Sequence, residues 1–174
     1  MKLYLWTLTI ALAAVVIGCS SSNDNDVLPQ GSTDPTLILD RVWFLSSVQD
    51  DAGNLTQVSQ VPELEFIIEF SSDIQTFMIQ GTQPVVRGIN TCNTFFGPYN
   101  LIDGLLTIDG LAQDEDDCFG PFRPIQSIID RVLIFSGGAT SMVSINAEGN
   151  VLTIASGANE VLFFDVSNEP FPTF

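Results

Sequence analysis

Three cysteines, one dense run of carboxylates and a complete absence of histidine set the chemistry open to this chain of 174 residues. Without an imidazole to take a nucleophile's proton near neutral pH, Ser-His-Asp and Cys-His catalysis are both excluded. Two-carboxylate glycosidase chemistry stays open on composition, since it needs only a pair of Asp or Glu at the right separation. No pair in the sequence singles itself out as catalytic. Asp114, Glu115, Asp116 and Asp117 form the densest acidic run, and hard cations such as calcium favour clustered carboxylate oxygens. The run lacks the alternating order of a calcium loop, so it reads as a solvated loop, with cation binding the weaker alternative. No cofactor is called for.

Cys19 closes a stretch with one positive charge at Lys2 and an almost unbroken apolar run from Leu3 to Ile17, the layout of a secretory signal. As a helix that run spans only about 22 Å at ~1.5 Å per residue, short of a hydrocarbon core of roughly 30 Å. The residues Val16-Ile17-Gly18-Cys19 resemble the lipobox of bacterial lipoproteins, which implies diacylglycerol on Cys19 and cleavage before it. An ordinary signal peptide with an incidental cysteine is the alternative. The polar run Ser20 to Asp26 cannot pack a core. Residues 1–18 are thus expected to be a signal peptide, 19–35 an acylated cysteine and flexible tether, 36–166 one domain, and 167–174 a C-terminal tail.

The net charge is −16 at pH 7, and loss of Lys2 with the signal makes it one unit more negative. The cations left are Arg41, Arg87, Arg123 and Arg131. Such a chain repels phosphate backbones and has no basic stripe, so nucleic acid is excluded as a partner. Cys92 and Cys118 are the only cysteines besides Cys19. An even pair in an exported chain reads as a disulfide, with two buried reduced thiols as the alternative.

The elements that must position these residues are mostly strands. Short alternating runs separated by turn residues place strands at Leu39 to Val48, Leu64 to Phe70, Gln75 to Gln80, Gln83 to Gly88, Thr94 to Asn100 and Leu105 to Ile108. The second and third are expected to form a hairpin around Ser71-Ser72-Asp73. Ser141 to Asn146, Val151 to Ala155 and Glu160 to Asp165 read as a meander. One segment differs: Ile125, Ile128, Ile129, Val132 and Leu133 make a helical stripe, with Pro124 in the first turn and Gly137-Gly138 ending it. The fold class is α+β, mainly β: antiparallel strands forming a small barrel or curved sheet with one packed α-helix.

The order of these features resembles the META domain family of HslJ-like envelope proteins. The marks are Val42-Trp43-Phe44-Leu45, the stretch from Gly88 through Cys92-Asn93-Thr94-Phe95-Phe96-Gly97-Pro98-Tyr99, Cys118 ahead of the helix, and the closing strands through Phe164. Trp43, Asn93, Phe95, Gly97 and Tyr99 are the motif residues. Thr91 stands where the family's triplet has glycine, and Asp114 and Asp116 replace a threonine and a methionine. The resemblance implies a compact β-rich domain in envelope proteins linked to stress tolerance, secretion or virulence, with no catalytic mechanism attached. Phe95, Phe96, Tyr99, Phe119 and Phe122 lie near the two cysteines, either as core packing or as a patch for a partner.

The function expected is a lipid-anchored, non-enzymatic envelope module for binding or stress protection. Ser20 after the lipid cysteine is compatible with transfer to the outer membrane, while the Asn and Asp run beyond it resembles signals that send some lipoproteins to the outer surface, so the leaflet stays open. An accessory or inhibitory protein docking a secreted partner, and a small carboxylate-dependent hydrolase, are the alternatives.

Overall fold

The computed structural model describes residues 31–61, 63–91, 93–113, 120–134 and 140–172. These hold β1 (Val42–Gln49), β2 (Leu55–Gln57), β3 (Phe66–Phe77), β4 (Gly81–Asn90), β5 (Asn93–Ile102), β6 (Leu105–Ile108), β7 (Ala112–Gln113), β8 (Ser141–Ile145), β9 (Val151–Ala155) and β10 (Val161–Val166). The helix α1 (Arg123–Ile129) continues into a π-helical stretch at Asp130–Ile134.

Antiparallel pairing runs β1-β3-β4-β5-β6-β8-β9-β10, and β10 returns to β1, closing an eight-strand barrel. Within the barrel body, closure pairs the first and last strands and so removes the open-sheet edge between them. The short strands β2 and β7 are additions, on the free part of one edge of β1 and of β5. Alternation fills the inside: Phe66, Ile68 and Phe70 from β3, Phe95 and Tyr99 from β5, Leu152 and Ile154 from β9, Leu162 and Phe164 from β10. In β1 the inward set is Trp43 and Leu45, then Val48. A bulge between Leu45 and Ser47 inserts one residue and changes the parity, so both halves of the strand face the core.

Residues 64–77 depart from expectation. Ser71-Ser72-Asp73 is not a hairpin turn; β3 runs on to Phe77, turns at residues 78–80 and pairs with β4. Ser72 and Asp73 form a second bulge, between the paired residues Ser71 and Ile74. Asp40 stabilises it by accepting the Ser72 N–H and Oγ–H, both at 2.7 Å, while the Tyr99 hydroxyl donates to the Ser71 carbonyl at 3.2 Å. With these groups satisfied by partners remote in sequence, the chain has no local reason to turn.

Each end of the barrel is closed by its own segment. At one, Phe122, Ile128, Ile129, Val132 and Leu133 of the helical segment are buried, and the Ser141 hydroxyl donates to the Val132 carbonyl at 2.5 Å. At the other, the chain before β1 crosses the mouth. Ser32 exchanges two backbone hydrogen bonds with Ile145 (2.7 and 2.8 Å). A 3-10 turn follows at Pro35–Leu37. Ile38 is fully buried and accepts the Trp43 indole N–H at 3.1 Å. The ordered domain therefore takes in Ser32, four residues ahead of the expected start at Thr36. At the start of the stretch expected as a tail, the Ser167 N–H donates to the Val42 carbonyl. Among the described residues no helix is long and apolar enough to cross a membrane.

Candidate functional site

Four of the five motif residues are core residues. Trp43, Asn93, Phe95 and Tyr99 are all buried, and the fifth, Gly97, is buried against Leu111. Phe95 stacks on Phe66 (5.5 Å between centroids, 29°), and Phe66 meets Phe164 at 6.1 Å. Tyr99 meets Phe70 edge to face at 5.3 Å. Such pairs add roughly 0.5–1.5 kcal/mol beyond their buried area. Burial pushes the Tyr99 phenol up to about 12, with the negative charge of Asp40 as the smaller cause. The tyrosine is a neutral hydrogen-bond donor inside the wall, far from acid–base use near neutrality.

The aromatic cluster expected around the cysteines divides. Phe95, Tyr99 and Phe122 face inward, whereas Phe96 is half exposed on the outer wall. Phe119 lies outside the described residues, as do Cys19, Cys92, Cys118 and the run Asp114, Glu115, Asp116 and Asp117. Their lipidation, disulfide and cation-binding assignments stay expectations of sequence. Among the described residues no three histidine, cysteine or carboxylate side chains come together as a metal site requires.

Among the described residues two ion pairs, both missed by sequence reasoning, sit on the barrel. Glu69 and Arg87 are directly opposed on β3 and β4, and the Arg87 Nε donates to Glu69 Oε2 at 2.8 Å. The same guanidinium lies 4.8 Å from the centre of the Phe171 ring, contributed by the C-terminal segment. A shallow cleft of about 350 Å³ opens here, walled by Arg87, Thr94, Phe96, Phe171 and Pro172. It brings a cation, two aromatic rings and a hydroxyl-bearing residue to one place on the outer wall, a set suited to a ligand with an anionic or aromatic group. The second pair is Arg131 with Glu160. The Arg131 Nε donates to both carboxylate oxygens (2.9 and 3.1 Å), and its Nη2 bonds Oε1 as well. Glu160 is buried and Arg131 is half exposed, so the contact ties the helical segment to the start of β10. One sequence signal pointed this way: in a chain with only four arginines, each one is costly to misplace. Arg41 is engaged too, donating to the Gly149 carbonyl at 2.7 Å.

Near the helix, Gln126 donates to Asp130 at 2.7 Å. Burial raises the Asp130 carboxyl above the ordinary range, opposed by that hydrogen bond and by Arg131.

No family model and no curated protein matches the chain. Solved structures that share the fold include the following two. A protein from Burkholderia xenovorans, solved by NMR, superposes with a TM-score of 0.57 at 19% identity, covering 80% of this chain and 90% of that one. A second NMR structure gives 0.50 at 20% identity, covering 76% and 93%. At these identities the likeness concerns the fold alone.

Proposed function

We propose that the chain is an exported, lipid-anchored envelope protein of the META-domain type, a non-enzymatic binding or stress-protective module held at the outer membrane through Cys19. The observation that carries this reading is the run Val16-Ile17-Gly18-Cys19 at the end of an apolar leader, followed directly by a polar spacer. More than one acyl chain on that cysteine gives stable attachment, where a single chain binds only marginally. The filled barrel supports the second half of the reading. Its interior is occupied by side chains and both mouths are closed, so recognition falls to the outer surface, where the cleft beside Arg87 and Phe171 is one place for it.

The test is mass spectrometry of the protein recovered from a Gram-negative envelope after expression of the full chain. An N-terminal peptide beginning at acylated Cys19 is expected, and Cys19→Ser should release the protein from the membrane fraction. An unmodified thiol at position 19, or a retained leader, would remove the proposal.

A further inference from the structure

The barrel mouth crossed by the N-terminal segment carries most of the exposed large apolar side chains. Among the described residues these are Leu55, Ile74, Met78, Ile79, Phe96, Ile102, Leu105 and Met142. All but Leu55 and Phe96 belong to the β3–β4 hairpin, or to the β5–β6 turn and the β8 residue paired beside it. Single exposed apolar residues are ordinary; six gathered at one end are not. Ile102 is paired with Leu105 and Leu105 with Met142, so these three share the outer face of adjacent strands. The hairpin projects past the barrel. Pairing of β4 with β5 stops at Val85, and from Ile74 opposite Pro84 to Phe77 opposite Gly81 the two arms pair only with each other. Met78 and Ile79 at its tip are fully exposed.

The chain leading to Cys19 leaves from among these residues. Thr33 packs against Gly104, beside Leu105, so closely that only a glycine with its φ of +76° fits there. Pro35 and Leu39 line one depression with Ile74, Pro84 and Leu101. Eleven residues, 20–30, separate Cys19 from Gly31. Even fully extended they reach only about 40 Å at ~3.3–3.6 Å per residue. An acylated Cys19 therefore holds this end near the bilayer at a high effective concentration, where a weak apolar contact suffices.

We infer that this end is a bilayer-contact surface, with Met78 and Ile79 entering the boundary between headgroups and acyl chains of a zwitterionic membrane. The inference rests on the lipid-anchor reading above. Charge selects the lipid: Asp73 and Asp103 flank the apolar residues, and the net charge of −16 opposes approach to an anionic surface.

The experiment uses the full chain produced in a bacterial envelope, reconstituted into phosphatidylcholine vesicles, with Cys19→Ala in solution as reference. Amide hydrogen exchange at residues 77–81 and 102–105 should slow at least fivefold on the vesicles, while the β9–β10 turn at 156–160, at the opposite end, is unchanged. Met78→Asp with Ile79→Asp, at positions that make no packing contribution, should abolish the slowing and leave flotation intact. Phosphatidylglycerol vesicles at low salt should give less slowing. Flotation with unchanged exchange at both sites overturns the inference and leaves the anchor standing. Slowing that appears only when envelope proteins are added makes the occupant a protein and also overturns it. Failure to float overturns the anchor reading and the inference together.

Discussion

Phe95 lies across Gly88, its directly paired neighbour on the next strand, so that the ring fills the space a β-carbon at position 88 would need. The Ile67 carbonyl crowds the same point. A glycine that weakens most strands is here what lets a buried aromatic reach Phe66. Gly88→Ala should therefore cost about 3 kcal/mol in urea unfolding, the upper range for overpacking. Phe95→Ala should cost about 3–5 kcal/mol through the cavity it leaves. A Gly88→Ala variant with parent stability would refute the contact.

Thr91 occupies the left-handed region, with φ +53°, in the turn between β4 and β5. A β-branched residue there is strained by roughly 1–2 kcal/mol. Its hydroxyl recovers part of this by donating to the Glu65 carbonyl at 3.2 Å, beside the backbone bond from the Thr91 N–H. Thr91→Gly removes the strain and that one hydroxyl bond, so the net expectation is a gain of about 0.5–1 kcal/mol in thermal or urea unfolding. A lower midpoint for the glycine variant would mean that the hydroxyl outweighs the strain.

The clamp between Arg131 and Glu160 is asymmetric, since the carboxylate is buried and the guanidinium is half in solvent. Arg131→Met strands a buried charge and should cost about 3 kcal/mol. Glu160→Gln leaves Arg131 free to hydrate and should cost about 1 kcal/mol. The double variant should be more stable than Arg131→Met alone, because the stranded charge is gone. Equal losses for the two single variants in urea would contradict this.

Two carboxyls set opposing pH dependences. Asp40 is held low by the Ser72 backbone N–H first and the Ser72 hydroxyl second. Its contribution is complete above the unfolded value near 4 and is lost as pH falls through the lower folded value. Asp40→Asn should therefore flatten the acid limb of the melting curve below about pH 4. Asp130 is raised by burial, so the folded state holds its proton more tightly and stability declines as pH rises from about 4 through the raised value. Asp130→Asn should melt higher than the parent at pH 7 and no higher at pH 3.

The strands with clear alternation, Leu105 to Ile108 and the three of the closing meander, lie where the sequence places them, as does the stripe from Ile125 to Leu133. Where the pattern misled, at Ser71-Ser72-Asp73, turn-forming residues are held in a bulge by Asp40 and Tyr99, partners that no local window contains. The strands β2 and β7, of three and two residues, are too short to show any period. The burial of Phe95 and Tyr99 was one of the two readings open in the sequence, because alternating aromatics on strands face inward; that of Trp43 follows from β1 lying in the closed wall. The pairings Glu69 with Arg87 and Glu160 with Arg131 were not legible, because charge alone names no partner until strand order and helix placement are known.

The joint between the first and last strands bears on how the molecule is made. Trp43 is matched with Val166, so the seam needs both extremities of the domain at once. A chain made from its amino end cannot complete this wall until the final strand emerges. Pairings this remote in sequence are also slow to form. Until then the β1 edge at Trp43 stays open, so the barrel closes only after its whole length has been made.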